Sequence, residues 1–314
     1  MNRDTVNLFF ACDDGYVPFL AVTLTSIKKM RNLSRRYAVR VLNTGISASH
    51  KKKIKKSLEC EGFEIDFPDI TQEVEKITKK LHTRDYYSKT TYYRLFIPEL
   101  YPELDKALYL DCDLVLKSDV AELYDVELSE NLVGAASDAF VSFIPRLHGY
   151  VTERIGVKTP SDYFNAGVLL MNLKEMRRMS FGEKFVALLG RVTFTVAQDQ
   201  DYLNAICNGK RLDIGDEWNC MPGFYTSKNS PKLIHYNLDS KPWHRSEVEY
   251  SDVFWKYADE SCYSDTIREI KATYRQEKKA AGETLCLIDV AEMQGRDLAE
   301  NKKIKRAIRG VMAR

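Results

Sequence analysis

The chain has 314 residues, with 47 basic against 45 acidic side chains, a formal net charge of +2, and 44% hydrophobic and 29% charged residues. This is the usage of an ordinary globular protein, and it excludes a globally basic nucleic-acid binder and an acidic disordered chain. No apolar run approaches the roughly 20 residues of a membrane span, the first residues lack a secretory apolar region, and the seven cysteines are scattered without a Cys-x-x-Cys pair. A cytoplasmic location is therefore expected.

In chain order, Val6-Asn7-Leu8-Phe9-Phe10-Ala11 is an apolar run that stops at Cys12-Asp13-Asp14-Gly15, as a buried strand ending in a polar loop would. Apolar residues at three- and four-residue spacing predict a helix over Phe19 to Met30. Tyr37 to Leu42 reads as a second strand, Ser47 to Glu59 as a basic helix, and the alternating Phe63 to Phe67 as a third strand. Strand, helix, strand, helix, strand implies an α/β fold with a parallel sheet covered by helices, and ligands beyond the carboxyl ends of its strands. Tyr86 to Leu95, Phe181 to Leu189 and Asp199 to Asn208 are further expected helices. Ala107 to Leu110, Leu114 to Leu116, Val133 to Ala136, Gly167 to Met171 and Leu233 to Tyr236 are expected strands. From Asp252 onward the pattern is helical, with Gly282 to Thr284 as the candidate linker.

Aspartates at i and i+2 on an extended segment project to the same side. Asp111 and Asp113 do so directly behind an apolar strand, where two carboxylates repel unless a cation sits between them. A hard divalent ion, Mg²⁺ or Mn²⁺, suits such a pair, and a pair of solvated strand caps is the plainer alternative. His235 also ends a short apolar run, and an imidazole added to carboxylates favours Mn²⁺ over Mg²⁺, although a hydrogen-bonded rim histidine would look the same. Lys241, in Lys241-Pro242-Trp243-His244, puts a cation on a stiffened loop where phosphate charge could be met. Gln198-Asp199-Gln200-Asp201 opens a helix, either as acids favoured by its dipole or as side chains aimed into a pocket. In Asn165-Ala166-Gly167, the glycine permits close backbone approach and the asparagine is suited to a sugar hydroxyl.

As an ordered set these segments resemble glycosyltransferase family 8, whose members include bacterial lipooligosaccharide galactosyltransferases and glycogenin. The matching runs are Phe10 to Asp13, Thr90-Thr91-Tyr92-Tyr93-Arg94-Leu95, Leu108 to Asp113, Tyr163 to Asn172, Gln198 to Asp201, His235-Tyr236 and Lys241 to His244. The resemblance covers roughly residues 6 to 244 and implies a GT-A (Rossmann-like) nucleotide-diphospho-sugar transferase fold. That fold has a mainly parallel central sheet flanked by helices. It also implies retaining transfer of galactose or glucose from a UDP-sugar to a saccharide acceptor, with lipid-linked and protein-linked acceptors both open. Asp111, Asp113 and His235 match the family's Mn²⁺ ligands, and Ala11 and Asp13 match positions that hold the uridine. Arg94 matches a donor-binding arginine, Asn165 and Asp199 match residues on the donor hexose, and Gln200 matches the side chain near the anomeric carbon. Lys241 matches a diphosphate contact and Asp138 a position on the acceptor side. Gln200 is a poor nucleophile, which favours same-face attack, with Asp199 orienting the hexose.

Two positions depart from the pattern. Leu238 stands where close relatives carry glycine, and Tyr86 stands where galactosyltransferase relatives carry an acceptor-contacting histidine. A sugar nucleotidyltransferase would need a glycine- and arginine-rich phosphate loop after the first strand, which Cys12-Asp13-Asp14-Gly15 does not supply. A self-glucosylating primer protein like glycogenin is the alternative within the family, since the chain has 18 tyrosines.

Residues 301–314 hold six basic side chains and no acid, so the rest of the chain is net acidic. Ile304, Ile308, Val311 and Met312 form one helical stripe beside them, the pattern of a basic amphipathic helix at an anionic membrane surface. The expected organisation is a catalytic domain over 1–265 and a helical appendage over 266–314, peripheral on the inner face of the cytoplasmic membrane, with no nucleic-acid partner.

Overall fold

In a computed structural model of the chain, which describes residues 5–80, 89–225, 229–274 and 279–313, the first apolar run becomes β1 (Thr5–Ala11). Successive side chains of a strand point to opposite faces, so a run that is apolar throughout belongs where both faces are covered. Val6, Leu8 and Phe10 accordingly join a core with the buried face of helix α1 (Val17–Met30), while Phe9 joins a second core with Tyr109, Leu169 and Met171. β2 (Arg36–Leu42) pairs in parallel with β1, and β3 (Phe63–Asp66) with β2. Between them, α2 (Ala48–Leu58) starts at Ser47, whose hydroxyl accepts from the His50 amide, and buries only Ile54 and Leu58 beneath its lysines.

A helix α3 (Thr71–Lys80) was not among the expected elements. It has few apolar anchors for a periodicity argument. Its start is set locally by Asp69, which accepts from the Thr71 amide at 2.9 Å. The segment expected as a helix over Tyr86 to Leu95 is a 3₁₀ helix over Lys89–Phe96, and its first three residues, Tyr86 included, lie outside the described residues.

β4 (Lys106–Leu110) lies on the other side of β1 in parallel, so the two strands reach their carboxyl ends together. The chain then leaves the main sheet. β5 (Leu114–Leu116) pairs with β9 (Leu233–His235) in a separate antiparallel ribbon. β6 (Val133–Gly134), β7 (Val168–Asn172) and the short edge strand β8 (Arg211–Leu212) complete a seven-stranded sheet in the order β3-β2-β1-β4-β7-β6-β8. The sheet is mainly parallel, with β7 running antiparallel to both β4 and β6. Edge strand β8, two residues long, is too brief to leave a periodic signal.

The C-terminal part of the chain forms the helices Ser251–Glu260, Ser264–Thr273, Lys279–Arg296 and Leu298–Met312. Gly282 to Thr284 is therefore not a linker but part of the Lys279–Arg296 helix, where alanines and Glu283 carry the glycine. The amphipathic stripe of the last helix is present, but Ile304, Ile308 and Val311 are buried against the protein's own second core. Lys305 pairs with Glu153 at 3.0 Å, and the buried Asn301 donates to the Gly295 carbonyl while accepting from Arg154. Lys302, Lys303, Arg306 and Arg309 are left facing outward. No helix among the described residues is long and apolar enough to cross a membrane.

Gly295 is what lets the Lys279–Arg296 helix lie against the backbone of Gly149 and Tyr150. A Cβ there would stand 2.6 Å from the Tyr150 nitrogen and 2.7 Å from the Gly149 carbonyl carbon. Backbone cannot yield as a side-chain tip can. Gly295→Ala is expected to destabilise the fold by about 1–3 kcal/mol through overpacking, read as a lower urea midpoint with an unchanged m-value.

Candidate active site

Two strand registers assemble the site. β7 runs beside β4 with Val168 opposite Leu110, which sets Gly167 next to Asp111, and the Asp111 amide donates to the Gly167 carbonyl at 2.8 Å. In the ribbon, His235 lies opposite Leu114, and the Tyr236 amide donates to the Asp113 carbonyl at 2.9 Å. Residues about 120 positions apart thereby meet. Ligand atoms of Asp111, Asp113 and His235 all lie within 4.8 Å of one another. His235 Nε2 is 3.2 Å from Asp113 Oδ1 and 3.7 Å from Asp111 Oδ2. Gly167 is the floor of this cluster: a Cβ would collide with the His235 ring and come 2.7 Å from Asp111 Oδ2.

A chain of side-chain amides determines which way the imidazole presents itself. Asp138 Oδ2 accepts hydrogen bonds from Asn165 Nδ2 at 3.1 Å and Gln200 Nε2 at 3.0 Å. That turns Asn165 Oδ1 toward Asn219, whose Nδ2 donates to it at 3.0 Å, and toward the Gly167 amide at 2.9 Å. Asn219 Oδ1 then faces His235 Nδ1 at 2.9 Å, so Nδ1 carries the proton and donates. The consequence falls on the other ring nitrogen. In the neutral ring Nε2 then presents a lone pair to Asp113 Oδ1, a buried oxygen with no hydrogen-bond partner among the described residues. Two acceptors facing each other at 3.2 Å need something positive between them.

The cationic side chains stand on either flank. Arg94, buried on the Lys89–Phe96 turn, donates through Nη1 to the Ala166 carbonyl at 2.5 Å and pairs through Nη2 with Asp111 Oδ1 at 3.1 Å. Its guanidinium lies 4.3 Å from the Tyr109 ring centroid, and the Tyr109 hydroxyl donates to Asp111 Oδ1 at 2.9 Å. Burial disfavours the charge on Arg94, but Asp111 and Asp199 outweigh it and hold the guanidinium protonated. Lys241 pairs with Asp113 Oδ2, which also accepts from the Tyr16 hydroxyl at 3.3 Å. Burial would raise the Asp113 carboxyl; the Lys241 ammonium overcomes it and holds the group well below the usual range.

The four polar residues that open the helix Gln198–Ile206 divide by direction. At about 100° per residue, Asp199 and Asp201 point to nearly opposite sides. Asp199 reaches the site, where Arg94 Nε is 3.2 Å from its Oδ2; Nε donates instead to the Thr91 carbonyl at 3.0 Å, leaving that oxygen without a hydrogen bond among the described residues. Burial, with Asp111 nearby, pushes Asp199 up to about 7 despite Arg94. Gln200 accepts from the Ala166 amide at 2.9 Å while its own amide donates to Asp138, so both ends are held. Asp201 turns into the core, where the hydroxyls of Tyr163 and Tyr150 donate to it at 2.7 and 2.8 Å.

Most of the candidate residues thus converge. Arg94, Asp111, Asp113, Asn165, Asp199 and Gln200 line one cleft of about 350 Å³, with His235 and Asp138. Ala11 and Asp13 line an adjoining cleft of about 210 Å³ that shares Arg94, Asp111 and Asp113 with the first. Lys241 joins through Asp113. Leu238 adopts φ +47°, the left-handed region that glycine enters freely, so the loop keeps a glycine's conformation with a leucine in it. Tyr16, Tyr109 and Asn219 belong to the site without having been anticipated. Tyr109 was accessible from its i, i+2 relation to Asp111. Asn219 had no local signal, because it arrives through the pairing of Cys220 with β9.

A mixed α/β sheet with acids and a histidine gathered at the carboxyl ends of β1 and β4 defines a glycosyltransferase of the GT-A class. The comparisons make the assignment specific: residues 7–247 match the family model for glycosyl transferase family 8, and the chain belongs to that family. The lipopolysaccharide 1,2-glucosyltransferase of Escherichia coli K12 is 27% identical over 299 residues, which is 88% of this chain and 84% of that protein. The bifunctional glycosyltransferase WbbM superposes with a TM-score of 0.76 at 25% identity, covering 86% of this chain and 52% of that one. The galactosyltransferase LgtC, solved with donor and acceptor sugar analogues, gives a TM-score of 0.64 at 27% identity over 89% of this chain and 100% of that one.

The buried acids make stability depend on pH in a definite direction. Burial raises Asp201 to about 6 even though two tyrosines and the Ala197 amide donate to it. An acid whose pKa is higher in the folded state binds more protons there than in the unfolded chain, so its contribution is fully present below about pH 4 and is lost as pH rises through about 6. The substitution Asp201→Asn removes that dependence. The thermal midpoint of the parent protein is expected to fall relative to that of Asp201→Asn as pH rises from about 4 to about 6, and to run level with it above that.

Proposed function

We propose that the protein transfers a hexose, galactose or glucose, from a UDP-sugar to a saccharide acceptor with retention at the anomeric carbon. The observation that carries this reading is Asp113 Oδ1, without a hydrogen-bond partner among the described residues, facing His235 Nε2 at 3.2 Å beside Asp111. The donor set of two carboxylates and one imidazole fits Mn²⁺ better than Mg²⁺, and the missing side chain of Gly167 leaves the space that the His235 ring and the Asp111 carboxylate occupy. When bound, such a cation supplies a fixed positive charge beside the departing diphosphate.

The chain's own residues complete the arrangement. Ala11 and Asp13, at the end of β1, border the cleft suited to the uridine, and Lys241 adds a second positive charge for the diphosphate. Charge aimed at the leaving group counts for most as the glycosyl–phosphate bond breaks, which is stabilisation of the transition state rather than of the bound donor. Asn165 and Asp199 offer polar atoms to the hexose hydroxyls, and Arg94 holds Asp199 and Asp111 apart. Gln200 has both ends of its amide engaged, so it acts as a fixed dipole near the anomeric centre and not as a nucleophile. Same-face attack by the acceptor is the route this supports, with Asp199 orienting the hexose. The outward cationic face of Lys302, Lys303, Arg306 and Arg309 supports electrostatic contact with anionic lipid without insertion of the apolar stripe.

Hydrolysis of UDP-galactose and UDP-glucose, measured with and without Mn²⁺, tests the reading. Metal-dependent release of UDP is expected from the parent protein, with a loss of about 100-fold or more in Asp113→Ala. No hydrolysis of either donor, or full activity of the variant in chelator, would sink it. A second measurement isolates the amide chain. In Asn219→Ala the imidazole loses its orienting acceptor, and Mn²⁺ affinity, followed by electron paramagnetic resonance of the free ion, is expected to weaken about 10–100-fold.

A further inference from the structure

Exposed apolar side chains gather at the mouth of the 350 Å³ cleft. Leu238 is 51% exposed and Leu287, on the helix Lys279–Arg296, is 43% exposed, and both line the cleft that holds Asp199 and Gln200. Ile288 and Phe140 extend the same lining, and the Phe140 ring meets Phe224 at 5.6 Å. Phe143, 50% exposed, also meets the Phe224 ring, at 5.8 Å. Three separate chain segments therefore bring apolar groups to one opening, next to the polar residues that the donor would occupy. Scattered single exposed leucines need no explanation, but a converging set around a cleft does.

Leu238 carries a second, independent observation. It holds φ +47°, a backbone conformation that side chains other than glycine avoid, and yet its side chain gains no core burial in return. Glycine would fit the loop without strain. Local strain retained on an exposed side chain at a cleft mouth indicates that the side chain is used there.

We propose that Leu238 and Leu287 form an aglycone subsite, and that the acceptor is a glycoside bearing an alkyl chain next to its accepting sugar. An aliphatic chain is the occupant that fits, because Leu238, Leu287 and Ile288 offer branched aliphatic surface and no polar group to satisfy. The subsite is continuous with the cleft in which the accepting hydroxyl must approach. The inference rests on the glycosyltransferase reading of that cleft, and its test separates the two.

Binding of methyl and n-octyl β-glucosides and β-galactosides, below micelle concentrations, is measured by calorimetry on the full chain with UDP and Mn²⁺ present. Seven added methylenes, each worth a factor of several when buried, predict an octyl ligand at least about ten-fold tighter. Leu238→Gly, which keeps the loop conformation accessible, and Leu287→Asn should each reduce that preference while leaving UDP-hexose hydrolysis within about two-fold. Equal affinity for methyl and octyl ligands overturns the proposal, as does an octyl preference that survives both substitutions. A concentration-dependent dimer abolished by Leu287→Asn would overturn it too, by giving the patch to a second copy of the chain. Loss of hydrolysis in the parent protein would strike the donor reading instead, and leaves the octyl comparison interpretable by itself.

Discussion

The active site depends on one unfavourable juxtaposition that the fold makes unavoidable. The β4–β7 and β5–β9 registers force two carboxylates and an imidazole to within 4.8 Å, and the amide chain from Asp138 through Asn165 and Asn219 turns the imidazole's lone pair inward. Asp113 Oδ1 is left buried and facing another acceptor. Neither partner can turn away, since His235 is held at Nδ1 and Asp113 is held at Oδ2 by Lys241 and Tyr16. A protein that merely needed to be stable would not keep such a contact, because hydrophobic residues of similar size would fill the space at lower cost.

The surrounding charges read as a consequence. Arg94 and Lys241 flank the acids from two sides without entering the space between His235 and Asp113. They keep the carboxylates tolerable in the absence of a further cation and remain positioned for anionic substrate groups. Asp199 sits where Arg94 neutralises it only in part, which is why burial raises it to about 7 while Asp113 moves the other way. Two aspartates in one cleft thus have opposite protonation behaviour, and that divergence is what a site handling both a diphosphate and sugar hydroxyls can use.

Much of this was legible along the chain, and the exceptions have physical reasons. Asp111 and Asp113 stood out because an extended segment places i and i+2 on one side. The division between Asp199 and Asp201 follows from helical rotation, and the parallel first half of the sheet follows from its alternation of strands and helices. The membership of His235 came from the resemblance to a family, since no local rule pairs residues across β5 and β9. Asn219 and the tautomer it imposes were invisible for the same reason: the hydrogen bonds are tertiary. The amphipathic stripe of residues 304–312 is real, but an apolar stripe has the same spacing whether it meets lipid or Tyr150–Ile155, and here it meets the protein. Gly282 misled because a lone glycine costs a helix only about 1 kcal/mol, less than its neighbours supply.

Asp113 Oδ1 and His235 Nε2 face each other, on this account, in order to share a cation with Asp111. Anomalous diffraction at the manganese edge, from crystals grown with UDP and Mn²⁺, tests that claim most directly. A single strong peak is expected within bonding distance of one oxygen from each aspartate and of His235 Nε2. A peak bound elsewhere, or an imidazole turned so that Nδ1 rather than Nε2 faces the acids, would contradict it.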